Sequence, residues 1–110
     1  KVSKIAFNST METLYKKQMN DFGGMVSFNL KGNNLKDAIK IVSNMDYFTL
    51  AESLGGVESL CGHPTSMTHA AIPKMEREKT GVVDSLIRLS VGIEDVSDLI
   101  SDLEKALKIV

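Results

Sequence analysis

The chain has 110 residues, 43% hydrophobic and 25% charged, with a net charge of −1 at neutral pH, which describes one domain around one modest core. Its lysines are spread along the chain, so no basic stripe argues for nucleic acid or an anionic membrane. No apolar run approaches the roughly 20 residues that span a bilayer, and the single cysteine, Cys61, excludes an intrachain disulfide framework and fits a reducing, cytoplasmic setting.

Val2 to Phe7 alternates apolar and polar residues, which predicts a strand, and Asn8-Ser9-Thr10 then offers capping groups for a helix from about Met11 to Met19. The chain opens in this strand-like segment without an initiator Met, which favours a domain cut from something longer. Gly23-Gly24 punctuates the next step, and Met25 to Leu30 reads as a strand with Val26, Phe28 and Leu30 on one face. Gly32-Asn33-Asn34 turns the chain into an amphipathic helix carrying Leu35, Ala38, Ile39 and Val42. Tyr47 to Leu50 is a short strand candidate.

From Ala51 to His69 neither period holds for long, and Gly55, Gly56, Gly62 and Pro64 predict a loop with short extended pieces, the kind of segment that carries sites. Pro73 suits the first turn of a short helix to about Lys79, which Gly81 stops. Leu86 to Val91 is the next strand, with Leu86, Arg88 and Ser90 on one face and Ile87, Leu89 and Val91 on the other. In the last helix Val96, Leu99, Ile100, Leu103 and Leu107 form a predicted stripe, with Asp95 and Asp98 at its start and Lys105 and Lys108 at its end, as the helix dipole favours. The order predicts an α+β fold, a mainly antiparallel sheet with helices packed on one face.

Arg88 is the residue that the periodicity does not explain. A guanidinium within an apolar strand either keeps its head in water or meets a fixed carboxylate or phosphate, for which its planar fork is suited. Cys61, His63 and His69 with Glu58 superficially form a metal set, but no ligand pairs occur at short regular spacing, so no metal is expected. Cys61 reads as a small buried apolar residue rather than a nucleophile, since no orienting group or oxyanion motif accompanies it. Gly55-Gly56 lacks the spacing of a phosphate loop. Glu52 is either a solvated strand-end carboxylate or a group that handles protons or binds an amine. Ser53 and Thr68 are ordinary turn or capping hydroxyls on their own evidence.

Taken together, Phe48 to Leu60 (with Glu52-Ser53-Leu54-Gly55-Gly56), His63-Pro64, Ser66-Met67-Thr68-His69 and Leu86 to Asp95 closely resemble the C-terminal domain of the Cys/Met-metabolism family of pyridoxal-phosphate enzymes. Lys16-Lys17-Gln18 and Gly23 to Phe28 extend the resemblance over nearly the whole chain. It departs at Phe7 to Glu12, where family members carry a Tyr-Pro-Gly-like turn and several more residues.

The resemblance implies that residues 1–110 are the small C-terminal domain of a fold-type I enzyme, closing over pyridoxal 5'-phosphate held mainly by a larger domain. That larger domain, absent from these residues, would supply the Schiff-base lysine. The 110 residues alone are accordingly expected to hold no catalytic residue and to be inactive, while the full-length enzyme is expected to be a homotetramer. By the same resemblance Arg88 binds the substrate α-carboxylate, the Ser53-Leu54 segment helps to fix it, and Thr68 supports the site by hydrogen bonding. An acid at Glu52 resembles the cystathionine γ-synthase and γ-lyase branches, where it would attract the distal ammonium of cystathionine or disfavour substrates with an apolar tail. The expected activity is trans-sulfuration at the γ-carbon of cystathionine or an O-acylhomoserine. A stand-alone, non-catalytic regulatory module that binds an amino acid through Arg88 is the alternative.

Overall fold

The computed structural model describes residues 16–21 and 23–110. The predicted strand over Val2 to Phe7, most of the helix to Met19 and the departure at Phe7 to Glu12 lie outside these residues; residues 16–18 are helical. The elements that follow are β1 (Met25–Asn29), α1 (Leu35–Val42), β2 (Thr49–Leu50), β3 (Leu60–Gly62), α2 (Lys74–Lys79), β4 (Leu86–Ser90) and α3 (Val96–Leu107).

They build a four-stranded sheet in the order β1-β4-β3-β2. β4 pairs antiparallel with β1 and with β3, whereas β2 pairs parallel with β3. The α+β reading with a mainly antiparallel sheet therefore holds. Sequence periodicity misses β3 as a separate strand because it has only three residues, all buried, so there is no alternation to detect. It is nevertheless an inner strand.

The register divides the sheet into two faces. Val26 opposes Leu89, Phe28 opposes Ile87 and Cys61 opposes Leu89. These residues form the core together with Ala38, Ile41 and Val42 of α1 and Leu99 and Ala106 of α3. Both longer helices thus cover one face. On the opposite face Arg88 lies between Ser27 of β1 and Gly62 of β3.

Turn chemistry follows the sequence closely. Gly32 and Asn33 both take positive φ, at 86° and 50°, a conformation open to Gly and tolerated by Asn. The Asn34 side chain then caps α1 by accepting from the backbone N–H groups of Lys36 and Asp37. Pro73 sits one residue ahead of α2 at the N-cap, and Gly81 follows it at a φ of 86°.

The two longer helices are rotated from the predicted stripes. In α1 the buried residues are Ala38, Ile41 and Val42, while Leu35 and Ile39 are more than a third exposed. In α3 Leu99, Asp102 and Ala106 are buried, while Val96 and Ile100 face outward at 69% and 53% exposure. A carboxylate takes an inward position in α3 because it has work there. Asp102 Oδ1 accepts from the N–H of Asp46 at 2.7 Å, and Oδ2 accepts from Tyr47 and Phe48 at 2.8 and 3.0 Å. Burial alone would raise its pKa, but the three N–H donors and nearby Lys105 outweigh that, so the carboxyl is held below its ordinary value. The clamp fixes the chain immediately before β2, and β2 leads directly to Glu52.

Candidate functional site

A shallow cleft opens on the sheet face away from the helices, between the end of β2, the turn after β3 and the middle of β4. Glu52, Gly62, Met67, Thr68 and Arg88 are among the residues that line it. Arg88 arrives there by strand alternation: its neighbours Ile87 and Leu89 are buried at 0% and 3%, so the guanidinium must leave on the opposite face. Gly62 opposes Arg88 across the β3–β4 ladder, and a Cβ there would lie 3.7 Å from Arg88 Nη2 and 3.3 Å from the Ala51 carbonyl oxygen. The closer of the two approaches is to the Ala51 carbonyl, while the guanidinium lies at ordinary contact distance over β3.

Arg88 Nη2 donates to the Glu52 carbonyl oxygen at 3.0 Å. Among the described residues the half-buried guanidinium has no ion pair, and its other N–H groups have no protein acceptor. An anion of the right shape would complete it. Such a site suits a carboxylate, which can accept two parallel N–H bonds.

The far wall of the cleft is built by a pinned turn. His63 is 1% exposed, with Nε2 against the Asp84 carbonyl oxygen and Nδ1 against Ser66 Oγ, both at 2.8 Å. Thr65 Oγ1 donates to the Val83 carbonyl at 2.9 Å. Asp84 is itself held by Lys74 at 2.5 Å and Arg77 at 2.6 Å, and hydrogen bonds from these two cations keep its carboxyl below the ordinary value. His63 is thus fully used inside the fold. Thr68 stands at the cleft edge with Oγ1 2.8 Å from His69 Nδ1.

Of the residues singled out in the sequence, Glu52, Thr68 and Arg88 meet around the cleft. Ser53 and Leu54 stand outside its lining, and Leu54 is 54% exposed. Gly62, His63 and Met67 are also in the wall; His63 and Met67 fall within the stretches that carry the resemblance, but their place in the wall depends on which strands become neighbours.

No group of three or more potential metal-ligating side chains occurs among the described residues. Cys61 is fully buried, its thiol directed at the Val42 and Phe48 carbonyls at 3.6 Å, and burial pushes its pKa up to about 11. The apolar reading of this cysteine holds. A second depression, lined by Asp46, Tyr47, Asp98, Ser101, Asp102 and Lys105, lies against α3. There Lys105 pairs with Asp46, and Asp102 holds the backbone N–H groups of Asp46, Tyr47 and Phe48.

Fold and cleft together define an α+β domain that carries a cationic fork on the sheet face away from its helices. The chain belongs to the Cys/Met metabolism PLP-dependent enzyme family, whose model matches residues 1–108. It is 58% identical over 94 residues to a cystathionine beta-lyase of Lactococcus lactis subsp. cremoris, a match covering 84% of this chain and 24% of the relative. Its structure resembles cystathionine gamma-lyase from Lactobacillus plantarum complexed with L-serine, with a TM-score of 0.80 and 45% identity over 92% of this chain and 26% of that one. It also resembles a putative O-acetylhomoserine (thiol)-lyase from Campylobacter jejuni that carries N'-pyridoxyl-lysine-5'-monophosphate, with a TM-score of 0.84 and 37% identity over 94% of this chain and 24% of that one. The chain therefore spans about a quarter of the length of the relatives it matches.

The family's cofactor is pyridoxal phosphate, and the cleft does not fit it. No lysine and no Phe, Tyr or Trp ring is among the lining residues, so nothing there would form a Schiff base or stack on a pyridine ring.

Proposed function

We propose that these residues form the substrate-closing C-terminal domain of a pyridoxal-phosphate-dependent trans-sulfuration enzyme, and that Arg88 holds the α-carboxylate of a sulfur amino acid. The observation that carries this reading is the half-buried Arg88, whose guanidinium is anchored on the Glu52 carbonyl and otherwise unpaired among the described residues. When bound, the cofactor supplies an electron sink for charge that develops at the amino-acid Cα. The contribution of this chain is to orient that carbon by fixing its carboxylate. The groups that hold the cofactor would lie in a larger domain, which makes the 110 residues inactive alone, and the complete enzyme is proposed to be a cytoplasmic homotetramer.

Reaction at the γ-carbon rests on Glu52, a residue of the same cleft, whose carboxylate would attract the distal ammonium of cystathionine. Relatives named beta-lyase and gamma-lyase match at similar identity, 58% and 54%, so overall likeness does not choose between them. The products do. Incubated with L-cystathionine, the polypeptide that carries this chain should release cysteine, ammonia and 2-oxobutyrate. Pyruvate with homocysteine would move the reaction to the β-carbon. Formation of cystathionine from cysteine and an O-acylhomoserine would make it a synthase. An amino acid that binds without yielding any of these products would favour the regulatory module.

A further inference from the structure

The loop between β2 and β3 folds over the sheet face that carries Arg88. Leu60 and Ser90 oppose each other across the β3–β4 ladder, and Ser90 shares the Arg88 face by strand alternation, yet these residues are only 5% and 3% exposed. The loop covers them: Gly55 N–H donates to Ser90 Oγ at 2.8 Å, and the Val57 carbonyl oxygen accepts from Ile93 N–H at 2.9 Å. The contact is close, since a Cβ on Gly92 would stand 2.2 Å from that carbonyl oxygen. Beside the Arg88 cleft, the loop and the exit of β4 therefore form a raised rim. Buried Ser59 at its base is bound to Glu94 and Gly92. The aliphatic side chains of the rim stay outside. Leu54, Val57 and Ile93 are 54%, 66% and 83% exposed, a group of large apolar residues that the core of this domain does not use.

We infer that this rim is a docking surface for the larger, cofactor-holding domain of the same polypeptide. The inference rests on the function proposed above. A carboxylate held by Arg88 leaves the amino-acid Cα, the carbon at which charge develops, about 1.5 Å from its carboxyl carbon. The surface that holds the cofactor must therefore come down on the Arg88 face, to within a few bond lengths of the carboxylate. The rim is raised on that face beside the cleft, so the descending surface meets it. The chain spans 24% of the length of a relative to which it is 58% identical, which leaves ample polypeptide to supply that surface. Removing Leu54, Val57 and Ile93 from water gives the contact an apolar drive, and the bonds from Gly55 and Ile93 make the rim a ready-formed platform. Ile100 differs: it is also exposed, but it projects from α3, which packs on the opposite face of the sheet, and it lies outside the inferred surface.

Hydroxyl-radical footprinting of the complete, cofactor-loaded enzyme tests the inference without any substitution. Val57 and Ile93 should be oxidised about tenfold more slowly in the native enzyme than after unfolding in urea, with Ile100 much less protected. Ile93→Asp should lower kcat/KM for L-cystathionine about tenfold, because a carboxylate resists burial in the contact, while the oligomeric state by light scattering and the cofactor absorbance stay as in wild type. Ile100→Asp should change none of the three. Oxidation of Val57 and Ile93 at the unfolded rate means an uncovered rim and overturns the inference, as does a wild-type kcat/KM in Ile93→Asp. If Ile93→Asp splits the assembly into smaller species, a second copy covers the rim and the inferred occupant is wrong. Should Ile93→Asp not fold, Val57→Asp is read in the same way beside the wild-type footprint. Arg88→Ala separates the two claims. If it lowers kcat/KM while the rim is oxidised at the unfolded rate, the inference fails and the proposed function stands; a wild-type kcat/KM in Arg88→Ala overturns the function on which the inference rests.

Discussion

Truncating Asp102 should destabilise the protein more than any other carboxylate substitution in α3, and the structure gives the scale. Its two oxygens accept three backbone N–H groups in the turn before β2. A buried donor that loses its partner costs about 1–3 kcal/mol, but the Asp46 and Tyr47 residues are exposed and regain water, so Asp102→Ala should lose about 2–4 kcal/mol in all. Most of that comes from Phe48, which is 3% exposed. Asp102→Asn keeps one acceptor oxygen and should lose roughly half as much. The sign with pH follows from the lowered carboxyl. Its stabilisation is complete above the unfolded value of 3.8 and is lost as pH falls from there through the lower folded value. Urea unfolding at neutral pH and at a series of acid values would measure both effects, with the wild-type advantage over Asp102→Asn shrinking as pH falls. Equal stability of all three proteins at neutral pH, or an advantage that does not change with pH, would refute the reasoning.

Substrate kinetics test the cleft in the complete enzyme. Arg88→Ala should lower kcat/KM for amino-acid substrates by about 1.5–3 kcal/mol of transition-state binding, the range for hydrogen bonds to a charged group, and unchanged kinetics would return Arg88 to a surface role. Glu52→Val should penalise cystathionine more than methionine or homocysteine, read as a ratio of kcat/KM values that cancels general damage; a constant ratio refutes ammonium recognition. Cys61 should resist iodoacetamide at pH 8 until urea unfolds the chain, because its thiol is buried with a pKa of about 11, and rapid alkylation of native protein would contradict that packing.

Much of the architecture is determined locally and is legible in the chain. β1 alternates throughout and β4 from Leu86 to Leu89, Asn34 caps α1, Gly81 ends α2, and Arg88 is assigned to the face opposite Ile87 and Leu89 by period alone. The resemblance through Glu52, Thr68 and Arg88 likewise marked the three residues that meet at the cleft. Other features exist only once distant segments are adjacent. β3 has three residues and no detectable period, yet it becomes an inner strand because β4 pairs with it along one edge and β2 along the other. Asp102 breaks an apolar stripe in sequence and becomes intelligible only when the Asp46–Phe48 turn delivers three N–H donors to it from more than 50 residues away. Gly62 reads as a loop residue until the register sets it against the Arg88 guanidinium. Local propensity and turn chemistry act over a few residues, so a single sequence reveals them. Hydrogen-bond partners and cleared space depend on long-range pairing, which only the folded chain decides.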